Sequence, residues 1–259
     1  MKDVWQGNEL KDFLEEAVER YNTKAFIEGD PIEVPHLFTK KEDKEIAGFF
    51  AATLAWGKRS QITKAGFSLI NLMDNEPFDF VLNHSLQDLK AFDGFVYRTF
   101  QPQDARFFVA ALKNIYLNHG GLEEVFTRNQ TSTDLHHAIA QLRRLFLTTH
   151  HEARSRKHIA DTASGSAAKR MHMFLRWMVR KDRKGVDFGI WHQIPMSILS
   201  CPLDTHVAAI ARQLGLLQRK QNDLKAVNEL DSHLRTLDSQ DPAKYDFALF
   251  GLGMFGGLK

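Results

Sequence analysis

The chain has 259 residues, is 43% hydrophobic and carries a formal net charge of +2, which is enough apolar material for one large domain or two small lobes; the averaged charge says little about nucleic acid. A single cysteine, Cys201, excludes a disulfide framework, a four-cysteine zinc site and an intrachain cysteine-ligated iron–sulfur cluster, and it suits a reducing compartment. The opening segment MKDVWQGNELKDFLEEAVERYN is broken by charge every few residues, and no later run holds about 18 apolar residues without a charge, so a cytoplasmic protein with no membrane span is expected.

The apolar spacing along the chain is helical. In TKKEDKEIAGFFAATLAWG, Thr39 and Glu42 predict a capping box, and Ile46, Phe49, Phe50, Thr53 and Leu54 then recur at helical intervals until Gly57. A second helix is expected from Arg59 through Ile62, Gly66, Leu69, Ile70 and Met73 to the DNEP turn. DARFFVAALKNIYLNHGG predicts a third on Phe107, Phe108, Ala111, Leu112 and Ile115, and STDLHHAIAQLRRLFLTTHH a fourth on Leu135, Ile139, Leu142, Leu145 and Phe146. KRMHMFLRWMVR, DTHVAAIARQLGL, LKAVNELDSHLRTLD and DPAKYDFALFGLGMF complete the series, with Pro242 suited to a first helical turn. No alternating strand series, internal repeat, low-complexity tract or linker is evident. The expected class is therefore all-α, with short connections.

One connection is longer: RKDRKGVDFGIWHQIPMS joins two helices that read as buried, and it either carries function or covers a core edge. Charge is also uneven. Between Arg154 and Lys184 the basic residues Arg154, Arg156, Lys157, Lys169, Arg170, Arg176, Arg180, Lys181, Arg183 and Lys184 face only Asp161 and Asp182. Such a run can bind phosphates, or it can be a solvated face balanced by acids elsewhere.

Two stretches have the chemistry of a site. In SGSAAKRMHMFLRWMVR, Gly165 precedes a helix that opens on Lys169, and a glycine turn at a helix start lets backbone N–H groups approach a phosphate. In CPLDTHVAAIARQLGL, Asp204 is a strong N-cap for a helix running to Leu214 and ended by Gly215; a capping carboxylate can also face a neighbouring cation. The histidine pairs His136–His137 and His150–His151 do not suit one metal ion, because adjacent residues on a helix point about 100° apart. No metal is expected.

Taken in order, SGSAAKRMHMFL and SCPLDTHVAAIARQLGL resemble the helix-hairpin-helix DNA glycosylase superfamily. In its endonuclease III branch a hairpin of the type Leu-Pro-Gly-Val-Gly-x-Lys-Thr-Ala precedes a Val-Asp-Thr-His segment. Gly165 matches the first glycine, Lys169 the nucleophilic lysine and Asp204 the catalytic aspartate. Ala167 replaces the second glycine, and Arg170 the threonine after the lysine. More broadly, KRMHMFLRWMVR, GVDFGIW, PLDTHVAAIARQLGL and DPAKYDFALFGLG together are similar, over most of the chain, to an uncharacterised bacterial family, DUF2400. The long stretch from Lys169 to Asp204 and the last helix also resemble the archaeal 8-oxoguanine glycosylase branch, which lacks the cluster cysteines.

The resemblance implies a single all-α glycosylase-like unit over residues 1–259, or two helical lobes, with the hairpin and catalytic segment at 160–216. It implies a DNA N-glycosylase with AP-lyase activity acting as a monomer on DNA that contains a damaged base, with no cofactor and no iron–sulfur cluster. Lys169, as a neutral amine, would attack C1′ of an everted nucleotide and form a Schiff base, and Asp204 would orient or deprotonate it and stabilise charge on the sugar. Gly165, Ser166, Ala167 and Ala168 would hold the DNA backbone, Arg170, Arg176, Arg180 and Lys181 would neutralise phosphates, and Trp191 or His192 would line the base pocket. Two other readings stay open: a catalytically silent nucleic-acid-binding protein of the same fold, and a helical interaction protein that never meets DNA.

Overall fold

The computed structural model describes residues 8–256; the first seven residues, the start of the charge-broken opening segment, and the last three lie outside them. The described residues form eleven α-helices with short 3-10 turns between them and no β-strand, the all-α class that the helical spacing predicts, with helices at Glu9–Tyr21, Pro77–Asn83 and Leu122–Asn129 beyond those expected. No helix among them is long and apolar enough to cross a membrane. The chain divides into two compact units, one formed by Ile27–Ala163 and the other by Met1–Phe26 with Ser164–Lys259.

The inserted unit contains α2 (Lys41–Thr53), α3 (Arg59–Asn71), α4 (Pro77–Asn83), α5 (Pro102–Asn118), α6 (Leu122–Asn129) and α7 (His136–Thr148). From Glu45 to Thr53, α2 is buried on every side, the expected fate of a helix whose IAGFFAA run offers water no polar face. Phe49 and Phe50 are fully buried among Phe108 and Phe146, with ring centroids 5.3–6.0 Å apart. Each such side chain contributes about 1.5–3 kcal/mol through burial.

The capping box expected at Thr39 and Glu42 does not form. Helix α2 starts at Lys41 with Lys40 as its N-cap. Asp43, which that register places in the third helical position, instead accepts the Phe78 N–H at 2.9 Å and ties α4 to α2. A comparable device appears where the sequence reading missed it, at α5, where Asp104 accepts the Gln101 N–H at 2.8 Å.

The other unit is built from α1 (Glu9–Tyr21), α8 (Lys169–Val179), α9 (Thr205–Gln213), α10 (Leu224–Leu237) and α11 (Tyr245–Phe255). Its core joins Leu14 and Val18 of α1 to Val207 and Ala211 of α9, Val227 and Leu230 of α10, and Ala248 and Leu252 of α11. Helix α11 packs against both α1 and α9, and glycine makes that possible. A Cβ at Gly251 would lie 2.3 Å from the Tyr21 ring, and one at Gly253 would lie 3.0 Å from the His206 Cβ and 3.2 Å from its carbonyl oxygen. Gly251→Ala should therefore destabilise the protein by about 1–3 kcal/mol through overpacking, despite the better helix propensity of alanine, and urea unfolding measures it.

The long connection after α8 is cover for the core. Phe188 N–H donates to the Trp177 carbonyl at 2.8 Å and Trp191 N–H to the Met178 carbonyl at 3.0 Å, so the strand-like return satisfies carbonyls that the helix end leaves open. Trp191 is buried against Phe174, edge to face at 5.4 Å.

Candidate active site

Lys169 is the first residue of α8, and the turn before it determines where it stands. Gly165 has φ +85°, a conformation glycine adopts without strain, while a Cβ there would meet open space, so conformation rather than crowding requires it. Ala168 is also left-handed, at φ +46°, a non-glycine residue in a region costing about 1–2 kcal/mol. Its N–H is taken by the Ser166 hydroxyl at 3.2 Å. The turn is fastened to the start of α10: Leu224 N–H donates to the Gly165 carbonyl at 2.9 Å, and Ser166 pairs with Asp223 as an isolated antiparallel bridge. The element ahead of the turn is a three-residue 3-10 turn, Thr162–Ser164, not an α-helix.

Asp204 arrives on a different support. The Cys201 N–H donates to the buried Asp231 carboxylate at 2.9 Å, and the Arg235 guanidinium donates to the carbonyls of Ser197 at 3.1 Å and Leu199 at 3.3 Å. Helix α10 thereby holds the extended segment that leads into α9. Asp204 caps α9, its Oδ1 accepting the His206 and Val207 N–H groups, both at 2.9 Å. Its other oxygen, Oδ2, faces Lys169 Nζ at 3.8 Å.

That distance lies within ion-pair range and beyond a direct hydrogen bond. The side chains retain 28% exposure at Lys169 and 19% at Asp204, so solutes can reach both groups. An amine and a carboxylate so placed support nucleophilic attack by the amine, with the carboxylate taking or returning its proton.

A buried ionic layer lies on the same unit. Asp246 of α11 pairs with Arg176, and its Oδ1 lies 3.9 Å from the buried Cys201 thiol. Burial pushes the Asp246 carboxyl up to about 6; Arg176 opposes the rise, and the Asp204 carboxylate reinforces it. Burial, reinforced by Asp246, also raises the Cys201 thiol well above its ordinary value, so it is not a thiolate at neutral pH. Arg176 also reaches Asp187 at 3.2 Å and stacks 4.2 Å over the Phe247 ring.

Burial and pairing correct three expectations. Arg176 and Arg180 are 2% exposed and do not present their charges to phosphate. Arg180 contacts Asp182 at 2.8 Å, Asp187 at 3.1 Å and Asp241 at 3.0 Å. Burial alone would lower its pKa, but those carboxylates outweigh it and raise it. Trp191, 1% exposed on Phe174, does not line a base pocket. The basic run is split as well, since Arg154 belongs to the other unit and pairs there with Asp104 at 2.8 Å.

The remaining residues keep their accessibility to different degrees. Ser166, Lys181 and His192 are exposed, Gly165, Ala167 and Arg170 are half-buried, and Ala168 is buried. Desolvation lowers Arg170 to about 10, which leaves it cationic at neutral pH. Asp231, Arg235 and Asp246 escaped the sequence reading. The one signal for Asp246 was an acid inside the apolar stretch YDFALFGLG.

Among the described residues no group of three or more His, Cys, Asp or Glu side chains is placed to hold a metal ion. Fold and site thus define an all-helical protein with a solvent-reachable lysine–carboxylate pair at the starts of two helices. The chain belongs to the family described as Protein of unknown function (DUF2400), whose model matches residues 30–255. No curated protein and no solved structure matches it.

Proposed function

We propose that the protein is a DNA N-glycosylase with AP-lyase chemistry, acting on a damaged base in DNA and similar to the helix-hairpin-helix enzymes in its lysine and aspartate, although a 3-10 turn stands where their first hairpin helix would be. The observation that carries the reading is the 3.8 Å approach of Lys169 to Asp204, two residues 35 positions apart that the glycosylase resemblance had paired in advance. The two-lobed reading draws on the division into two compact units, with both candidate catalytic residues in the unit that resumes at Ser164.

In this reading the target nucleotide leaves the base stack before reaction. Asp204 accepts a proton from the Lys169 ammonium, and the neutral amine attacks C1′. The C1′–N bond breaks, and the base leaves with its electron pair and takes up a proton. Opening of the sugar gives an iminium between Lys169 and C1′, and loss of a C2′ proton then expels the 3′ phosphate by β-elimination. Asp204 hands the proton it took to the leaving base and, ionised again, opposes the positive charge of the iminium. The grip on DNA falls to Gly165–Ala167 with Arg170 and Lys181, since Ala168 is buried with its N–H taken by Ser166, and Arg176 and Arg180 are committed inside the fold.

Borohydride reduction in the presence of abasic-site and oxidised-base duplexes tests the proposal. The wild-type chain should give a covalent protein–DNA adduct that Lys169→Ala abolishes, while Lys169→Ala keeps duplex affinity within about tenfold, the loss of at most about one phosphate contact. Absence of any adduct across the panel, with DNA binding intact, would favour the catalytically silent alternative.

A further inference from the structure

The loop between α9 and α10 was not singled out in the sequence, yet it is fastened to the turn that precedes Lys169. Leu224 N–H reaches the Gly165 carbonyl at 2.9 Å, and Asp223 pairs with Ser166. Gln218, Arg219, Lys220, Gln221, Lys225 and Glu229 line an open concavity there.

The loop is rigidly built from inside. Arg212 donates to the carbonyl of Arg219 at 2.7–2.9 Å, to that of Lys220 at 3.0 Å and to the Asn222 side chain at 2.6 Å. Its charge is therefore spent on no carboxylate. Both acids of the region are already engaged: Glu229 accepts the N–H groups of Gln218 and Arg219, and Asp223 holds the Arg219 guanidinium and caps α10 through the Ala226 N–H at 3.1 Å. Lys220 and Lys225 are exposed. Four cations thus stand against two carboxylates that the loop itself consumes.

We infer that this loop is a second clamp on the DNA backbone, in which Lys220 and Lys225 neutralise phosphates beside those held by Gly165–Ala167. The inference rests on the DNA reading above and supplies phosphate contacts that the burial of Arg176 and Arg180 removes. A repeated, singly charged polyanion is the partner that suits two exposed lysines on a preformed loop, because each phosphate neutralised releases counterions and leaves a measurable mark on salt dependence.

The test uses the full chain and a fluorescein-labelled duplex bearing a tetrahydrofuran abasic-site analogue, with affinity followed by anisotropy from low to moderate KCl. Against wild type, Lys220→Gln with Lys225→Gln should weaken binding at least tenfold at low salt and reduce the slope of log affinity against log salt by about 2. Lys11→Gln, an exposed lysine of α1, should change neither. Borohydride trapping of the double variant on saturating abasic DNA should still yield the Lys169 adduct, showing that the site is folded. An unchanged slope with trapping intact overturns the clamp alone, as does an equal loss in Lys11→Gln. A lysine-dependent slope without trapping in wild type keeps the clamp and removes the enzyme. Failure of wild type to bind the duplex removes both.

Discussion

Asp204→Asn should leave stability within about 1 kcal/mol of wild type and lower the rate of lysine-dependent adduct formation by about 10²–10³-fold. The two effects separate because Asp204 serves two purposes through two oxygens. Oδ1 caps α9 through His206 and Val207, and asparagine caps as well as aspartate. Oδ2 faces Lys169, where an amide cannot accept the amine's proton and brings no charge to oppose a developing cation. The lost ion pair, being partly exposed, contributes only about 0–1 kcal/mol. Asp204→Ala should add a capping loss of about 1 kcal/mol to the same kinetic defect. Single-turnover trapping combined with urea unfolding of both variants decides the matter. If Asn restores the rate as fully as it restores the cap, Asp204 is only a helix cap.

Arg176→Met should be the most destabilising of these substitutions, at about 3–5 kcal/mol. Removing one member of a buried ionic layer unbalances the rest: Asp187, fully buried at its side chain, keeps only Arg180, and Asp246 loses the cation that restrains its pKa. The sign of the pH effect follows. The Asp246 carboxyl rises from 3.8 to about 6 on folding, so its contribution to stability is complete below pH 3.8 and is lost as pH climbs through 6. Without Arg176 the folded pKa rises further, and the loss extends to higher pH. The variant's deficit should therefore be larger at pH 8 than at pH 5, read from urea midpoints at both. A deficit below about 1 kcal/mol, or one indifferent to pH, would contradict the ionic layer as described.

The helices that could be read from the chain were those with an unambiguous apolar stripe. Ile46–Phe49–Phe50, Phe107–Phe108–Ala111 and Ile139–Leu142–Phe146 lie on buried faces of α2, α5 and α7. Helix α9 begins after Asp204 and is followed by left-handed Gly215, as the capping rules predict. These features are local: a cap, a stripe and a glycine act within a turn or two of chain. The capping box at Thr39 failed because α2 begins one residue later than the box requires, with Lys40 as its N-cap, and Asp43, now at the third helical position, finds its donor on α4, 35 residues away.

The same division explains the phosphate assignments. A one-dimensional charge run cannot distinguish Lys181, which is exposed, from Arg180 beside it, which is buried among three aspartates. Those partners come from as far as Asp241, and Asp246 reaches Arg176 across 70 positions.

What the sequence determined by itself was the helical class, most helix positions and the residue types available for chemistry, because periodicity and capping depend on neighbours along the chain. Tertiary structure alone decided which charges face water, which are consumed inside, and that Lys169 and Asp204 stand 3.8 Å apart. The physical reason is that desolvation and pairing depend on distance in space: α10 fastens both the turn before Lys169, through Leu224, and the segment before Asp204, through Asp231. No local pattern in LKAVNELDSHLRTL announces that a single helix sets the position of both groups.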